Sequence, residues 1–488
     1  MLKKLLLIVA VIFTISANAQ YTTPNTGVVW SLADLLLNAP SAISFSNGVY
    51  TLSQDLTIAE DDAIIINEDT TLEVDAGVLI TVAGSFTADA DEITITASDT
   101  ENPFEGFRFE ETSTGVFRNT TITYGGGIRV ITGDFTMDFC NVSYNVTGEA
   151  TGSAISFSSG SPVVSNSTFM FNDLPAFSSG ANQEVSALFL NNYLEGNNQL
   201  NSNRPQINMG PGGTGVLRII GNTIIGKPEL TMVGGIAAAS LLGNPNAVII
   251  DNNIIQGNRY GITVVGANSS GFIRGNIIED NNTQNNPNLG GSGISLSASG
   301  PATMDIVASN NQFRRNLWGI TLIGSARINL GNTDPEDFNE GGNIFDDNGN
   351  GGQTYALYNN TPNMVYAMNN CWFEEGELTM ENVENVITHQ PDIATLGLVI
   401  FNPFGCALST PDFSIAGPVI YPNPSNGTMT VTTPLYGTAT FYNISGQLVA
   451  TQKLTAGDNQ ISVDLPSGIY ILKTEGGNKS FTDKLVIE

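Results

Sequence analysis

Basic residues are scarce in this sequence of 488 residues, in which 17 Lys and Arg stand against 46 Asp and Glu. The formal net charge of −29 at pH 7 repels phosphate backbones, so the composition argues against nucleic acid as a partner. Most of this negative charge lies between residues 20 and 409. A surface of this kind attracts cations, and it also keeps an exported protein soluble.

Histidine and cysteine are also rare, since His389 is the only histidine and the cysteines are Cys140, Cys371 and Cys406. None of them forms a CxxC pair or another metal-ligand pattern, which excludes the usual zinc sites. A disulfide is permitted outside the cytoplasm. We expect Cys371 and Cys406, which share one late segment, to pair, and Cys140 to stay free and buried.

Long apolar runs are absent after the first twenty residues. There, Lys3 and Lys4 precede an apolar run over 5–15, and the small residues of "ANA" come before Gln20. The run is too short to span a bilayer comfortably, and this order of features is typical of an export signal. We expect residues 1–19 to be a signal peptide cleaved between Ala19 and Gln20, and no transmembrane segment in the mature form. The alternative is an N-terminal membrane anchor.

A short phrase, N-x-apolar-x-x-N, recurs along the chain at intervals of 20–35 residues. Its third position is apolar in all ten copies: Ile122, Val142, Phe169, Leu194, Ile224, Ile255, Ile278, Phe313, Phe345 and Trp372. The stretches are short, rich in Ile, Val and Phe, and bounded by Gly and Asn, which predicts strands. Strands that return at a fixed register can stack as a solenoid, with the third-position side chains piled in a narrow core.

The asparagines of this phrase mark the bends between strands. A sharp bend often needs a left-handed backbone, which Asn tolerates better than other non-glycine residues. The amide of one Asn can also hydrogen-bond the Asn one coil away. We therefore expect bend asparagines in the left-handed conformation and a ladder of amides along the solenoid.

These repeats resemble those of the right-handed parallel β-helix proteins with the pectate-lyase-like fold. The stretch "TLEVDAGVLITVAGSFTADADEITITA" (71–97) resembles the opening coils of that family, and 369–404 resembles its closing segment. The resemblance covers 45–406 and implies an all-β, right-handed parallel β-helix solenoid, with 20–44 as an N-terminal lead-in or cap. The alternative is an antiparallel sandwich or a propeller.

A different pattern begins at about residue 407, where alternating strands and turns predict a small antiparallel β-sandwich. The pieces "YPNPSNG" (421–427), "YNISGQLV" (442–449), "LPSGIYILK" (465–473) and "KLVIE" (484–488) resemble the type A C-terminal sorting domain of the type IX (Por) secretion system of Bacteroidetes. The family usually shows Asp where this chain has Asn443. We expect a linker at 407–419 and an Ig-like sorting domain at 420–488; the alternative is a plain Ig-like module.

The resemblance implies an export route as well as a fold. In that family the type IX translocon reads the domain in the periplasm, and a sorting protease then removes it. The cargo is released or fixed to surface lipopolysaccharide, so we expect a secreted protein that is extracellular or on the outer cell surface. The sorting-signal residues implied are Pro422, Asn423, Pro424, Gly427, Gly446, Gly468, Tyr470 and Lys484.

The solenoid offers no strong catalytic constellation, and we predict no catalytic residue. The phrases "NTD" (332–334) and "DD" (346–347) could supply paired carboxylates for hydrolysis. They lie less than one coil apart, however, and His389 stands alone near the C-terminal cap. Both facts argue against a glycosidase site of this type.

Calcium-assisted elimination of an acidic polysaccharide would need clustered acids and a basic residue near the sugar. Arg314 and Arg315, with Asp346 and Asp347 at the corresponding positions one repeat later, could provide them. An ion-pair ladder explains the same four residues better. We predict no cofactor, with calcium at the turn of Asp346 and Asp347 as the alternative.

Tyr260 and Trp318 occupy equivalent positions in "NRYGI" and "NLWGI", where they could stack on a sugar or cover the coil edge. A solenoid with flat faces and variable loops suits binding to polysaccharides or other surfaces. We therefore predict a non-catalytic glycan- or surface-binding protein. The alternative is a polysaccharide lyase or glycoside hydrolase acting on an acidic polysaccharide, because this solenoid often carries such activity.

Overall fold

The computed structural model of the protein describes residues 20–301, 304–406 and 419–487, except 422, 424, 434–436, 444–445, 456 and 477–478. The predicted signal peptide, including Ala19, lies outside the described residues. So do residues 407–418 of the predicted linker and the sorting-signal residues Pro422 and Pro424.

Short strands dominate the described chain. The first part contains β1 (Gln20–Thr22), β2 (Val29–Trp30), α1 (Leu32–Asn38), β3 (Ile43–Ser46), β4 (Val49–Leu52), β5 (Asp55–Ile58), β6 (Ala63–Ile66), β7 (Thr70–Val74), β8 (Leu79–Val82), β9 (Ser85–Ala97), β10 (Gly106–Phe109), β11 (Thr114–Thr123), β12 (Ile128–Val130), β13 (Asp134–Asp138), β14 (Asn141–Ser143), β15 (Ile155–Phe157), β16 (Val163–Ser165) and β17 (Thr168–Met170). The middle contains β18 (Phe177–Ser179), β19 (Leu188–Leu190), β20 (Tyr193–Glu195), β21 (Ile207–Met209), β22 (Val216–Ile220), β23 (Thr223–Ile225), β24 (Ile236–Ala239), β25 (Asn246–Asp251), β26 (Ile254–Gln256), β27 (Ile262–Val265), β28 (Ser269–Arg274), β29 (Ile277–Glu279), β30 (Ser292–Ala298), β31 (Asp305–Ser309), β32 (Gln312–Arg314) and β33 (Trp318–Gly324). The remainder contains β34 (Asn329–Gly331), β35 (Ile344–Asp346), β36 (Gly349–Asn350), β37 (Gln353–Thr354), β38 (Leu357–Asn360), β39 (Val365–Ala367), α2 (Met380–Glu384), β40 (Ile387–Thr388), β41 (Val399–Ile400), β42 (Val419–Tyr421), β43 (Thr428–Thr433), β44 (Gly437–Asn443), β45 (Leu448–Leu454), β46 (Gly457–Ser462), β47 (Gly468–Gly476) and β48 (Lys479–Ile487).

The strands up to β41 stack as a parallel β-helix, as the sequence predicts. One face, which we call sheet A, is a single parallel sheet of 14 strands in the order β1-β5-β8-β10-β12-β15-β18-β21-β24-β27-β30-β33-β38-β40. The other strands of each coil pair mostly in parallel with their counterparts one coil away; β3–β4 and β36–β37 are antiparallel. At ~4.8 Å between neighbouring strands, sheet A alone extends about 60 Å.

The core consists of side chains stacked in register. On sheet A one inward column runs Leu56, Ile80, Phe107, Ile128, Ile155, Phe177, Ile207, Ile236, Ile262, Ile294, Ile320, Leu357 and Ile387. All of them are buried. The flat aliphatic and aromatic faces cover one another from coil to coil, so each coil shields the apolar surface of the next.

The apolar column predicted from the repeats is confirmed. Strands β14, β17, β20, β23, β26, β29, β32 and β35 carry its middle members in one continuous parallel register. The column begins three coils earlier than the repeats show, because Ile95 lies opposite Ile122, Leu72 opposite Ile95, and Tyr50 opposite Leu72. At its far end Phe345 stacks on Trp372 with ring centroids 5.0 Å apart.

The asparagines divide into two groups with different roles. Members of the first group adopt the left-handed backbone conformation: Asn191, Asn252 and Asn310 have φ of 54°, 57° and 57°. Each of them directly precedes an asparagine of the second group. The following residue, such as Asn253, is buried and forms the amide ladder. The ladder runs Asn192, Asn222, Asn253, Asn276, Asn311, Asn343 and Asn370, with each Nδ2 donating to the next Oδ1 at 2.8–3.0 Å. The expectation that one Asn serves both purposes is therefore corrected.

A second ladder follows the other bend of the coil. Its members are Asn145, Asn172, Asn197, Gln206, Asn258, Asn281, Asn316 and Asn348. The coil of "NTIIGK" has Lys227 at the ladder position, and Gln206 fills the gap from a neighbouring loop. Gln206 Oε1 accepts from Asn197 Nδ2 at 3.0 Å, and its Nε2 donates to Asn258 Oδ1 at 3.1 Å. The ladder thus continues through a coil that lacks its asparagine.

Both ends of the solenoid are closed by a short helix. The segment predicted as lead-in already contributes strands to the stack, since β1 pairs in parallel with β5. Helix α1 begins at a capping box of Ser31 and Asp34 and packs against β2, β3 and β6, burying Leu35. At the other end, α2 packs against β40, and Cys371 and Cys406 form a disulfide across a separation of 35 residues. Cys140 is free and buried.

Residues 419–487 form two antiparallel sheets, one of β42, β43 and β46 and one in the order β45-β44-β47-β48. Met429, Val431 and Ile461 from the first sheet pack with Phe441, Leu472 and Leu485 from the second in a core of their own. Buried and exposed residues alternate over 469–472 of β47, the pattern expected of a strand in a sandwich.

Candidate functional site

The outward face of sheet A brings polar side chains into one straight column. Next to the buried column, the register aligns Thr57, Thr81, Arg108, Arg129, Ser156, Ser178, Asn208, Ala237, Thr263, Ser295, Thr321, Tyr358 and Thr388. Strand alternation places these residues outside because their neighbours pack inside. The column therefore offers hydroxyl, amide and guanidinium groups along one line.

A groove of about 340 Å³ lies over this column. Four residues of the column line it, Arg129, Ser156, Ser178 and Asn208. The rest of the lining includes Glu149, Thr151, Gly152, Gly180, Gln183 and Arg204. Gly152 lets its loop approach the floor closely, since a Cβ there would lie 2.5 Å from Ser178 Oγ. The groove is thus narrow and polar.

Two guanidinium groups meet one carboxylate at the end of this groove. Glu149 Oε1 accepts from Arg108 Nη1 at 3.0 Å and from Arg129 Nη1 at 3.3 Å. Arg108 also donates to Glu110 Oε1 at 2.6 Å, and this bond raises the pKa of its guanidinium. Arg129 therefore shares the carboxylate of Glu149 with Arg108, and its side chain also lines the groove.

Glu105 adds a titrating group beside this cluster. Burial raises the pKa of its carboxyl, and the nearby charges of Glu149 and Asp55 raise it further. The carbonyl oxygen of Glu105 also accepts from the Glu149 backbone N–H at 3.0 Å, so the two residues are held together. Protonation of Glu105 removes a negative charge from the neighbourhood of the groove.

The groove residues have the chemistry to bind an anion. With Arg204, which is exposed, three guanidinium groups lie at or beside the groove in a strongly acidic chain. Guanidinium groups bind carboxylate and sulfate in a fixed, bidentate geometry. Among the described residues, those that line the groove include no His, Lys or Cys.

The sequence did not single out this cluster, although a signal is present. "GFRFE" (106–110) and "GIRVI" (127–131) each place an Arg in the middle of a short apolar strand. An outward Arg at the same register in two consecutive coils predicts two guanidinium groups ~4.8 Å apart. The repeat phrase belongs to another side of the coil, so it does not detect this pair.

Arg314 and Arg315 are both engaged in ion pairs. Arg314 Nε lies 2.8 Å from Glu374, and Arg315 Nη2 lies 2.7 Å from both Glu279 and Asp280. The hydrogen bond to Asp280, with that to Glu279, holds the pKa of the Arg315 guanidinium above its usual value. The pairs therefore run to Glu374 and to the preceding coil rather than to Asp346 and Asp347.

Asp346 and Asp347 lie at the bend that the sequence offers as an alternative calcium site. Asp346 Oδ1 accepts from the Glu374 backbone N–H at 3.2 Å, and Asp347 adopts φ of 49°. The neighbouring Asn348 is committed to the second ladder, where its Oδ1 accepts from Asn316 and its Nδ2 donates to the Phe313 carbonyl. Within the described residues no group of three or more His, Cys, Asp or Glu is arranged to hold a metal ion.

Tyr260 and Trp318 take part in different contacts. The Tyr260 ring lies over Gly234, where a Cβ would come within 2.2 Å of it, and burial raises the pKa of its hydroxyl to about 12. Trp318 stacks against Tyr355 and Tyr358 with centroid distances of 4.5 and 5.4 Å. Its Nε1 donates to the Pro287 carbonyl at 3.0 Å, so this half-buried cluster extends the polar column of sheet A with aromatic surface.

His389 and Asp334, considered above as parts of a hydrolytic site, make hydrogen bonds within the cap and a turn. His389 is buried; its Nδ1 accepts from the Val399 N–H at 2.8 Å, and its Nε2 lies 2.9 Å from Glu384 Oε1. Asp334 Oδ1 accepts from the Glu336 N–H at 3.0 Å within a turn. These contacts hold the cap and the turn in place.

The described sorting-signal residues support the fold of the C-terminal unit. Asn423 Nδ2 donates to the Lys484 carbonyl at 2.7 Å and its Oδ1 accepts from the Val486 N–H at 2.9 Å, which covers the edge of β48. Tyr470 is buried and its hydroxyl donates to the Pro466 carbonyl at 2.7 Å. Gly427 and Gly446 take positive φ at turns, and Gly468 begins β47.

Comparison with known proteins identifies this unit. Residues 419–488 match the secretion system C-terminal sorting domain. The sorting domain marks proteins that the type IX system secretes, so the protein is exported to the cell surface or the extracellular space and interacts with that system. A search of curated proteins found no match. In the described part of the chain, neither helix is long and apolar enough to cross a membrane.

Proposed function

We propose that the β-helix is a non-catalytic binding module for an acidic polysaccharide, which lies along the outward column of sheet A. The observation that carries this proposal is the pair Arg108 and Arg129 around the single carboxylate of Glu149, with Arg204 in the lining of the same groove. Cationic groups are gathered here although the chain as a whole has a net charge of −29. Uronate or sulfate groups would complete the hydrogen bonding of these guanidinium groups.

The geometry of the column supports an extended chain as ligand. Neighbouring outward residues are ~4.8 Å apart along the solenoid, which is close to the length of one sugar unit in an extended polysaccharide. Ser156 and Asn208 provide a hydroxyl and an amide along this column, and between them the Ser178 hydroxyl is bonded to Ser153 Oγ at 2.7 Å. A linear polymer can therefore repeat the same kind of contact from coil to coil, and the cluster of Trp318 and Tyr358 lies further along the same face.

The proposal is tested by retention of the purified protein on immobilised polygalacturonate, alginate and chondroitin sulfate, with dextran as the neutral control. Arg129→Gln combined with Arg204→Gln should weaken binding about 10- to 30-fold, since each exposed charge-assisted contact contributes about 1 kcal/mol. Arg274→Gln is the matched control, because Arg274 is paired with Asp251 on another side of the coil. Equal retention of the double variant and of the Arg274→Gln control on the acidic polymers would contradict the proposal.

A polysaccharide lyase or glycoside hydrolase is the second candidate, and the raised pKa of Glu105 beside Glu149 favours it. A carboxyl with a raised pKa can act as a general acid. Incubation with the same acidic polymers, with and without calcium, would show unsaturated ends for a lyase and new reducing ends for a hydrolase. Binding without either product supports the binding module.

A further inference from the structure

The sorting domain has a strand with apolar side chains on both faces. On β47, Tyr470 and Leu472 point into the core and are 7% and 0% exposed. The alternate residues Ile469 and Ile471 point outward and are 49% and 39% exposed. A half-buried strand needs apolar residues on its inner face alone. The outer isoleucines are therefore not explained by the core.

Neighbouring strands extend this apolar surface. Ile471 lies opposite Tyr442 on β44, and Tyr442 lies opposite Leu448 on β45. Ile469 lies opposite Val486 on β48. Leu448 is 55% exposed. We call these five residues the outer face of the sorting domain.

Lysines border the outer face. Lys484 lies opposite Ile471 on β48, and Lys473 lies one outward position further along β47. Residues 410–488 contain four basic residues, and all of them lie on strands of this same sheet: Lys453, Lys473, Lys479 and Lys484. The surface is thus apolar at its centre, with Lys484 and the ion pair of Lys473 and Glu475 at its border.

Two other described sorting-signal residues, Asn423 and Tyr470, do not provide an alternative recognition surface of this kind. Asn423 is bound to the edge of β48, and Tyr470 is buried with its hydroxyl bonded to Pro466. These residues fix the fold, while the outer face remains available for contact. Exposed apolar patches with a polar rim are typical of protein interaction sites.

We propose that the outer face is the surface by which the type IX secretion system recognises this chain. Its occupant is a protein component of that system that presents apolar side chains bordered by carboxylates, complementary to the lysine border. The match of residues 419–488 to the secretion sorting domain supplies the partner. This inference does not depend on polysaccharide binding by the β-helix.

Export of the full chain from a host with a type IX system tests the proposal. Ile469→Thr combined with Ile471→Thr keeps the β-branched shape but removes apolar surface, and should lower the extracellular fraction at least about tenfold. Ile323→Thr is the matched control, because Ile323 is 45% exposed on the β-helix. Normal export of the double variant would overturn the proposal, provided that its denaturation midpoint equals that of the unchanged protein.

Photo-crosslinking keeps the test decisive if the double variant folds poorly. A photoreactive phenylalanine analogue at Leu448 should crosslink the chain in the host to a protein component of the secretion system, identified by mass spectrometry. The same analogue at Gln460, which is exposed on the other sheet, should give no such product. Crosslinks from position 448 only to the chain's own β-helix or to a second copy would refute the proposal.

Discussion

Replacing Asn253 by alanine should remove one rung of the first ladder. Its Oδ1 accepts from the Asn222 N–H at 2.8 Å and from Asn222 Nδ2 at 3.0 Å. Its Nδ2 donates to the Ile219 carbonyl at 2.8 Å and to Asn276 Oδ1 at 2.9 Å. All of these groups belong to buried residues at the bend, where a lost partner is not replaced by bulk water.

The expected loss follows from the groups left without a partner. The Asn222 N–H and the Ile219 carbonyl each lose a hydrogen bond in a buried site, at about 1–3 kcal/mol for each group. Asn253→Ala should therefore lower the free energy of unfolding by about 4 kcal/mol. Asn253→Asp conserves volume but places a carboxylate against carbonyl oxygens, so its loss at neutral pH should be at least as large.

Asn252, the residue before Asn253, provides a matched control. Asn252 is exposed and has φ of 57°, so Asn252→Ala should cost about 1 kcal/mol for the left-handed backbone. Asn252→Gly should cost almost nothing. Guanidinium chloride denaturation followed by circular dichroism measures all four variants, and equal m-values make the midpoints comparable. Equal losses for Asn252→Ala and Asn253→Ala would refute the assignment of separate roles to the two asparagines.

Three further predictions concern other parts of the chain. Gln206→Asn keeps the amide but is one methylene too short for the gap between Asn197 and Asn258, so it should lower stability by about 2 kcal/mol in the same denaturation assay. Cys406→Ser should lower it by about 4 kcal/mol, because the disulfide closes a loop of 35 residues; no change would contradict this. The pKa of Glu105 is raised, so protonation as the pH falls towards that pKa should strengthen retention on polygalacturonate, and Glu105→Gln should give the strengthened retention already at pH 7.

The parts of the fold that repeat could be predicted from the sequence. The column from Ile122 to Trp372 can be predicted because each side chain must pack against the one stacked on it. This requirement imposes an apolar residue at the same position in every coil. The sorting domain can be recognised in the sequence for another reason. Residues such as Asn423 and Tyr470 each satisfy a specific backbone group, so the motif letters are fixed by the local structure.

Contacts between residues outside the repeat could not be predicted from the sequence in the same way. Gln206 enters the second ladder from a loop whose length sets its reach, and Arg315 pairs with Glu279 and Asp280 of the preceding coil. Outward side chains need not match their neighbours in the stack, because water can satisfy them. The groove of Arg129 and Arg204 arises from this variable outer layer.

The stacking of one strand on the next is tested most directly by pulsed electron resonance between spin labels on sheet A. Thr81→Cys is combined in turn with Asn208→Cys, Thr263→Cys and Thr388→Cys, which lie five, seven and eleven strands further along the outward column. Separations near ~24, ~34 and ~53 Å are expected, in proportion to the number of strands crossed. A distance to position 388 no longer than that to position 208 would contradict the parallel β-helix.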